Sequence, residues 1–264
     1  MDDYLLAQHS EMEWSHWWFS GRRIILADIL RRWLGARQDL RLLDIGCGAG
    51  TMIEVLAAYG QVAGMDTSEE AVRYCRTRLP DVTFSAGRVP EALPAPESLD
   101  VITAFDVIEH IPDEAPALAG IRDTLVPGGL FVCTVPAYQW MWSAHDELNH
   151  HCRRYTRRQL VGRLEAAGFE VEWSSYFNAI LFPPAAAVRL VRKLLRMEGS
   201  GGSDFDVGVS KANGLLRRLF ASERIVLRRA RLPFGLSIAA VARRPADSQA
   251  TGARPAASRA NASG

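Results

Sequence analysis

The segment at residues 42–51, LLDIGCGAGT, constrains the fold more than any other part of the chain. An apolar run typical of a buried strand leads into glycines at 46, 48 and 50, and a helical pattern follows. A turn this tight needs residues without a Cβ atom, so that backbone N–H groups can approach a ligand closely. The next predicted strand ends at Asp66, whose carboxylate can accept hydrogen bonds from a ribose diol. This order of elements predicts a nucleotide site in an α/β fold.

Strand and helix patterns alternate along most of the chain. Strands are predicted at residues 40–46, 61–66, 82–86, 99–111 (running into a loop), 130–137, 169–176 and 234–243. Helices are predicted at residues 51–60, 68–80, 113–129 and 156–168. This alternation predicts a parallel sheet with right-handed crossovers and helices on both of its faces.

The 264 residues fit one α/β domain with additions better than two separate domains. We predict an N-terminal helical lid at 1–38, a core at 39–177, a basic helical insertion at 178–232, the final core strand at 233–244 and a disordered tail at 245–264. The net charge of +1 gives no overall field that would attract nucleic acid. Four cysteines without a CxxC pair, and a start without a signal-peptide pattern, predict a cytoplasmic protein with reduced thiols.

The spacing of the glycines bears on which nucleotide the turn binds. Dinucleotide-binding turns have the pattern GxGxxG, with a pyrophosphate at the helix N-terminus. Here the spacing is GxGxG, and Asp44 precedes it. A carboxylate at this turn repels phosphate and suits a positively charged amino group, which favours S-adenosylmethionine over NAD. An NAD-dependent oxidoreductase is the alternative enzyme.

With these motifs the chain resembles the class I S-adenosylmethionine-dependent methyltransferases, over about residues 40–176 and the last strand. The resemblance implies a doubly wound, mostly parallel, seven-stranded Rossmann-like sheet whose last strand is antiparallel. It also implies S-adenosylmethionine as the cofactor. The positions that would surround the methionine part of the cofactor are Asp44, Gly46, Gly48 and Gly50.

The same resemblance assigns the rest of the cofactor site. Asp66 would hold the ribose hydroxyls, and Thr67 would lie against the adenine. In the stretch FDVIEHI at 105–111, the residues that would border the cofactor and open toward substrate are Asp106, Val107 and His110. Many relatives read the adenine with an Asp after the third strand. This chain has Gly87 and Arg88 there, so no side chain is assigned to the adenine.

Aromatic residues cluster before the first strand, in HWWFSGRR at 16–23. N-terminal helices with tryptophans often cover the site in the resembled family, so we expect Trp17 and Trp18 to contact substrate. The alternative is that these aromatic residues pack on the sheet. Trp17, Trp18 and Phe19 cannot all face one side of a helix, so at least one must contact something beyond the local core.

The polar segment at 135–156 follows the fifth strand, where loops of an open α/β sheet lie over the ligand. A histidine can remove the proton of an acceptor hydroxyl, and the candidates are His145, paired with Asp146, or His150. Arg154 and Tyr155 are predicted to contact substrate. His and Asp are also metal ligands. Methyl transfer from a sulfonium requires no metal, and adjacent histidines in a loop have poor ligand geometry, so no metal is predicted.

The insertion at 178–232 is basic, with eleven Lys or Arg residues against four acids. Residues 185–197 place apolar side chains on one helical face and cations on the other: Val188, Val191, Leu194 and Leu195 against Arg189, Arg192, Lys193 and Arg196. Such a helix can lie on an anionic membrane surface, which predicts weak peripheral contact at the inner membrane face. The alternative is that this cationic helix packs on its own domain.

Together these features predict an enzyme that transfers a methyl group from S-adenosylmethionine to a small-molecule or lipid-linked acceptor, at oxygen. The alternative outside enzymes is a module that binds S-adenosylmethionine without turnover. The sequence identifies neither the acceptor nor the oligomeric state.

Overall fold

The computed structural model describes residues 16–194 and 213–246, and its strands form one seven-stranded sheet. The strands are β1 (Leu40–Ile45), β2 (Gly60–Asp66), β3 (Thr83–Ala86), β4 (Leu99–Phe105), β5 (Leu125–Pro136), β6 (Glu170–Phe177) and β7 (Ser237–Arg243). Their order across the sheet is β3-β2-β1-β4-β5-β7-β6. β7 is antiparallel to both of its neighbours, and the pairs from β3 to β5 are parallel. The expected doubly wound, mostly parallel sheet with a last antiparallel strand is confirmed.

Helices cover both faces of this sheet. They are α1 (Trp17–Leu34), α2 (Ile53–Leu56), α3 (Glu69–Arg78), α4 (Glu114–Thr124), α5 (Ala144–Leu148), α6 (Arg157–Ala166), α7 (Phe182–Leu194) and α8 (Asn213–Leu227). Short 3-10 turns lie at Ala57–Tyr59, Ile108–His110 and Gln139–Met141. Side-chain caps fix where helices begin. The Ser68 hydroxyl, for example, accepts a hydrogen bond from the N–H of Ala71 at 3.2 Å and starts α3 directly after Asp66.

Successive residues of the central strands feed two hydrophobic cores, one on each face of the sheet. On β1, Leu42 belongs to the core covered by α1, α2, α3 and α8, and Leu43 belongs to the core covered by α4 and α6. Because both faces are buried, the strands have near-continuous apolar sequences. The polar edge left for a ligand is therefore the end of the sheet, where the strands stop.

Two predicted helices differ from those observed. The helix predicted at 51–60 is one α-helical turn at Ile53–Leu56 followed by a 3-10 turn, because β2 already begins at Gly60. The helix predicted at 113–129 ends at Thr124. Leu125 is fully buried and pairs with Leu99 of β4, so Val126–Gly129 belong to β5, whose register with β4 shifts between Leu99 and Val101. Strand pairing therefore overrides the local helix pattern at both places.

The second half of the predicted insertion packs on the core, against α1. Phe220 of α8 is buried against α1, and a Cβ on Gly21 would lie 2.8 Å from its ring. The N–H of Trp17 donates to Asn213 Oδ1 at 2.6 Å, and Arg228 pairs with Asp28. α1 and α8 therefore form one helical pair on the sheet.

Parts of the predictions fall on residues outside the described ranges. These parts are residues 1–15 of the lid, 195–212 of the insertion and 247–264 of the tail. Leu195 and Arg196 of the amphipathic stretch are among them. Within the described residues, no helix is long and apolar enough to cross a membrane.

Candidate functional site

The residues predicted to bind ligand meet at one end of the sheet, because the parallel strands all stop there. β1 ends at Ile45 before the glycine turn, and β2 ends at Asp66. β4 ends at Phe105, before Asp106, and β5 ends at Pro136, before the polar loop. In open α/β sheets this carboxyl edge is where ligands bind.

The glycine turn is held by backbone hydrogen bonds to β2. The N–H groups of Gly46 and Cys47 donate to the carbonyl of Met65 at 2.7 and 3.1 Å. Gly46 has a φ of 69°, and a Cβ there would lie 2.4 Å from Val107 Cγ2. Only glycine allows this backbone conformation and this close approach without strain. The turn and the segment after β4 are thus packed together, as a shared ligand site requires.

Asp66 fixes the turn as well as facing the ligand edge. One carboxylate oxygen accepts the N–H of Gly48 at 2.9 Å, and the other accepts the N–H of Ser68 at 2.9 Å. A carboxylate oxygen has two lone pairs, so each still has room for a ribose hydroxyl. Thr67, next in the chain, is exposed. The arrangement fits a ribose at Asp66, with the base lying beyond Thr67.

Asp44 lies deeper than its sequence position suggests. Its side chain is buried, and Oδ1 accepts a hydrogen bond from the Thr103 hydroxyl of β4 at 2.5 Å. The negative charge at the turn is therefore anchored in the sheet. This placement keeps a carboxylate beneath the turn, where it disfavours phosphate.

Arg22 of α1 is a site residue that the sequence interpretation did not assign. Its guanidinium pairs with Asp106 at 2.7 Å and donates to the Thr134 hydroxyl at 2.9 Å. Thr134 in turn donates to Asp106 at 2.8 Å, and Asp106 has a left-handed backbone with a φ of 57°. α1 is thereby tied to the ends of β4 and β5. The sequence spacing gave only a weak indication of this role. Arg22 is four residues after Trp18, so the two side chains share a helix face, and the guanidinium lies 5.4 Å from the centre of the Trp18 ring.

The two tryptophans predicted to contact substrate lie in different environments. Trp17 is buried, and its ring meets Phe220 edge-on at 6.3 Å. Packing on the core, the alternative considered for these aromatic residues, therefore describes Trp17. Trp18 is half-buried beside Arg22 and remains next to the site.

The polar loop after β5 is organised around Asp146, and not as the predicted pair of His145 with Asp146. Asp146 is fully buried. It is hydrogen-bonded to Nδ1 of His151 at 2.8 Å and forms an ion pair with Arg154 at 2.6 Å. Burial alone would raise the pKa of Asp146, but the hydrogen bonds from His151 and Arg154 hold it well below its ordinary value. Because Asp146 also closes the capping box of α5 with Ser143, its geometry is that of a positioning residue.

Arg154 and Tyr155, both predicted to contact substrate, have protein partners. Arg154 donates from Nε and Nη2 to the two oxygens of Asp146. Tyr155 is buried, and its hydroxyl donates to Glu114. Both residues therefore support the loop through contacts within the protein, and the polar end of each side chain is directed at a protein partner.

The two candidate bases differ in setting. His145 is half-buried; its ring nitrogens lie 3.2 and 3.3 Å from the Asn149 amide, and its ring centroid is 6.3 Å from that of His151. His150 is exposed and has a left-handed backbone with a φ of 55°. His110 meets the His151 ring edge-on at 4.7 Å. Burial lowers the pKa of His110, and the neighbouring His151 lowers it further.

An aromatic cluster, also missed by the sequence interpretation, borders the same edge. Tyr138 stacks on Tyr176 at 5.1 Å and lies 5.5 Å from Phe182, which contacts Phe234 at 5.4 Å. Trp140 completes the cluster and is 45% exposed. Its members come from four separate segments, so no local pattern could reveal it. It gives this edge of the sheet an apolar patch beside the polar loop.

Residues 16–173 match the family described as a methyltransferase domain, and the match spans more than half of the chain. The chain belongs to the class I S-adenosylmethionine-dependent methyltransferases. The matched range contains the glycine turn, Asp66, Asp106 and the whole polar loop. The cofactor of this family is S-adenosylmethionine, and the glycine cradle and Asp66 described above fit it.

Curated relatives of this methyltransferase have related names. It is 34% identical over 161 residues to a probable S-adenosylmethionine-dependent methyltransferase of Mycolicibacterium smegmatis, covering 60% of this chain and 61% of the relative. It is 31% identical to the trans-aconitate 2-methyltransferase of Afipia carboxidovorans, covering 60% of each chain. The ubiquinone biosynthesis O-methyltransferase of Thiobacillus denitrificans is 29% identical, with 47% and 52% covered. The chain thus spans about three fifths or less of the length of these relatives.

Solved structures share the fold at low sequence identity. An S-adenosylmethionine-dependent methyltransferase from Mesorhizobium loti has a TM-score of 0.57 at 20% identity, over 82% of this chain and 96% of that one. Phosphoethanolamine N-methyltransferase 2 of Haemonchus contortus, solved with S-adenosylmethionine, has a TM-score of 0.56 at 21% identity, over 84% and 52%. The fold of this methyltransferase is therefore the Rossmann-like one predicted.

Proposed function

We propose that this chain transfers a methyl group from S-adenosylmethionine to an oxygen atom of a small-molecule or lipid-linked acceptor. The observation that carries the proposal is the meeting of the glycine turn, Asp66 and the Asp106–Val107 segment at one edge of the sheet. That edge faces both a polar, histidine-bearing loop and an apolar aromatic cluster. The site therefore has a cofactor side and an acceptor side.

The residues that would hold the cofactor are those around the turn. Gly46, Gly48 and Gly50 let the backbone approach its methionine part, and Asp66 would accept the ribose hydroxyls. Asp106, held by Arg22 and Thr134, would border it beside Val107. When bound, S-adenosylmethionine supplies an electrophilic methyl carbon on a positively charged sulfur.

Oxygen is supported as the target atom by the polar loop. A hydroxyl must lose its proton before or during attack, and an imidazole near neutral pKa can take it. His145 is the better placed candidate, because it is half-buried near His151, while His150 points from an exposed position. The deprotonated oxygen forms the O–CH₃ bond as the C–S bond breaks, with the bonding pair leaving on sulfur as a neutral thioether. The named relatives include an O-methyltransferase of ubiquinone biosynthesis and a trans-aconitate methyltransferase, which supports acceptors of small size.

Weak membrane contact would bring a lipid-linked acceptor to this edge. α7 begins at Phe182 in the aromatic cluster and carries exposed apolar side chains at Val188, Leu190 and Val191. Arg189 lies between them and can meet an anionic headgroup. Through Phe182, a lipid surface bound at this helix would lie next to the aromatic cluster.

The test is turnover with candidate acceptors, read as S-adenosylhomocysteine release, alongside calorimetry for the cofactor. We expect S-adenosylmethionine to bind and NADH not to bind. With an active acceptor, His145→Ala is expected to lower turnover by about 100-fold at unchanged cofactor affinity. His150→Ala is the comparison that decides between the two bases. Cofactor binding without product from any acceptor would point to the non-catalytic module, and tight NADH binding would overturn the proposal.

A further inference from the structure

Glu109 is a buried carboxylate without a protein partner among the described residues. Its side chain is 0% exposed, and neither Oε1 nor Oε2 has a hydrogen bond. An unsatisfied buried carboxyl group is costly, so native proteins keep one where a ligand or ion completes it.

Two histidines converge on this carboxylate. Ligand atoms of Glu109, His110 and His151 all lie within 4.8 Å of one another, the one such group among the described residues. The N–H of Cys152 donates to the Glu109 carbonyl at 2.7 Å and joins the two segments. This backbone bond holds the His151–Cys152 segment beside Glu109, although Cys152 is 42 positions after His110 in the chain.

The orientation of the His151 ring is fixed by Asp146. Its Nδ1 is hydrogen-bonded to Asp146, which leaves Nε2 free of that bond. Asp146 is itself held by Arg154 and by the N–H of Ser143. A carboxylate that holds the far nitrogen of a histidine is the usual outer shell of a metal ligand, since it fixes the tautomer and increases the basicity of the ring.

We propose that Glu109, His110 and His151 bind a divalent first-row metal ion such as Zn²⁺ or Mn²⁺. Two imidazoles and one carboxylate are a donor set these ions accept, and three protein ligands leave coordination positions open. The proposal replaces the expectation that this site has no metal. That expectation weighed adjacent histidines of one loop, whereas the structure combines two segments.

An ion there would lie beside the cofactor side of the site, since Glu109 follows Asp106 and Val107 in the same turn. Its open positions would take oxygen atoms of the acceptor, so acceptors with two neighbouring oxygens fit best. Binding to the ion would lower the pKa of an acceptor hydroxyl and release its proton to a base or to water. This role rests on the proposed function; ion binding itself does not.

The experiment strips the full chain with a chelator and titrates Zn²⁺ or Mn²⁺ alone, reading bound metal after gel filtration. We expect about one ion per chain. Glu109→Gln, which keeps the side-chain shape, and His151→Ala are expected to weaken binding by at least about 100-fold. His150→Ala is the matched control, because His150 is next in the chain and outside the cluster, and it should bind metal as the unmodified chain does.

Thermal unfolding keeps the test independent of activity. The ion should raise the melting temperature of the unmodified chain and leave that of Glu109→Gln unchanged, because only a folded site binds it. Cofactor affinity shows that each variant is folded. Equal metal binding by the unmodified chain and both variants, or no binding at all, overturns the metal site even if S-adenosylmethionine binds. Metal binding without any cofactor binding would instead overturn the proposed function alone.

Discussion

The two sides of the site are built in different ways. The cofactor side comprises residues 44–51, 66–67 and 106–107, which are short turns directly after strands. The acceptor side comprises residues 137–156 and the aromatic cluster, and its parts come from distant segments. Backbone hydrogen bonds shape the cofactor side, such as those from Gly46 and Cys47 to Met65. Buried charged side chains, such as Asp146 and Arg154, shape the acceptor side.

The difference teaches where each side is vulnerable. A turn made by backbone atoms is disrupted when a side chain is added, whereas a loop held by ion pairs is disrupted when a side chain is removed. The cofactor side is also the part shared by a whole family with many acceptors. The acceptor side can vary because its long connections leave the sheet unchanged.

The largest effect is expected from removing the carboxylate of Asp146. Asp146→Ala leaves Arg154, whose side chain is 8% exposed, without its buried partner. Breaking a buried ion pair in this way costs about 3–5 kcal/mol in the free energy of unfolding. Urea denaturation of metal-free protein measures it, with the exposed neighbour Glu147→Ala as control. If Asp146→Ala lowered the free energy of cofactor binding as much as the free energy of unfolding, the two sides would not be independent.

The converse change adds a single methyl group to the cofactor side. Gly46→Ala forces a non-glycine residue to a φ of 69° and places its Cβ 2.4 Å from Val107 Cγ2. The backbone strain costs about 1–2 kcal/mol, and the overlap adds about 1–3 kcal/mol. We expect cofactor affinity to fall by about 100-fold in calorimetry.

Gly162 in α6 provides the matched control for this change. A Cβ there meets nothing within 4 Å, so Gly162→Ala should leave cofactor affinity unchanged and stabilise the helix by about 1 kcal/mol. Similar affinities of the two alanine variants would mean that the turn is not the cofactor cradle.

Asp66 allows a finer test, because it both supports the turn and faces the ribose. Asp66→Ala should weaken S-adenosylmethionine binding by about 1.5–3 kcal/mol, as expected for the loss of hydrogen bonds to a charged group. Asp66→Asn keeps one acceptor oxygen for Gly48 or Ser68 and should fall between Ala and the native residue. Calorimetry with the exposed Asp81→Ala as reference measures both. An Asn variant as weak as Ala would show that charge, and not support of the turn, is what matters.

The smallest effect concerns membrane contact on the acceptor side. Val188 and Val191 of α7 are 50% and 52% exposed, so partial burial in a lipid surface yields only about 1–2 kcal/mol, with about 1 kcal/mol from each nearby cation. We expect weak co-sedimentation with anionic liposomes that is lost in high salt and in a Val188→Ser, Val191→Ser variant. Leu215→Ser on α8, an apolar site that is 71% exposed, should not change it. Salt-independent binding, or none, would favour a freely soluble acceptor.

The cofactor side and the sheet could be predicted because their signals are local. The positions of Asp44, the glycines and Asp66 are each set by a strand end, and each of the seven strands overlaps the apolar run that predicted it. The start of β5 at Leu125 was missed because a helical pattern continues through it. Pairing of Leu125 with Leu99 decides that boundary, and a partner 26 residues away leaves no local trace.

The acceptor side could not be predicted to the same depth. Its residues were identified by type, but their partners were not: Asp146 binds His151 and Arg154 instead of His145. The sequence analysis assigned no role to Arg22 or Glu109. Arg22 lies in a helix, and Glu109 lies among residues that were themselves assigned to the site. The fold brings these groups together from three separate segments, and residue spacing alone does not determine which of them meet.

β7 has a consequence for synthesis of the chain. Among the strands that the structure describes, β6 has β7 as its one neighbour, and β5 is bounded on that side by β7 as well. During translation, β6 leaves the ribosome roughly 3–12 s before β7 follows, at ordinary elongation rates. For that interval two strands present unpaired backbone groups, the kind of edge that recruits foreign strands. The glycine turn is therefore synthesised early, whereas β5 and β6 keep exposed strand edges until β7 is translated.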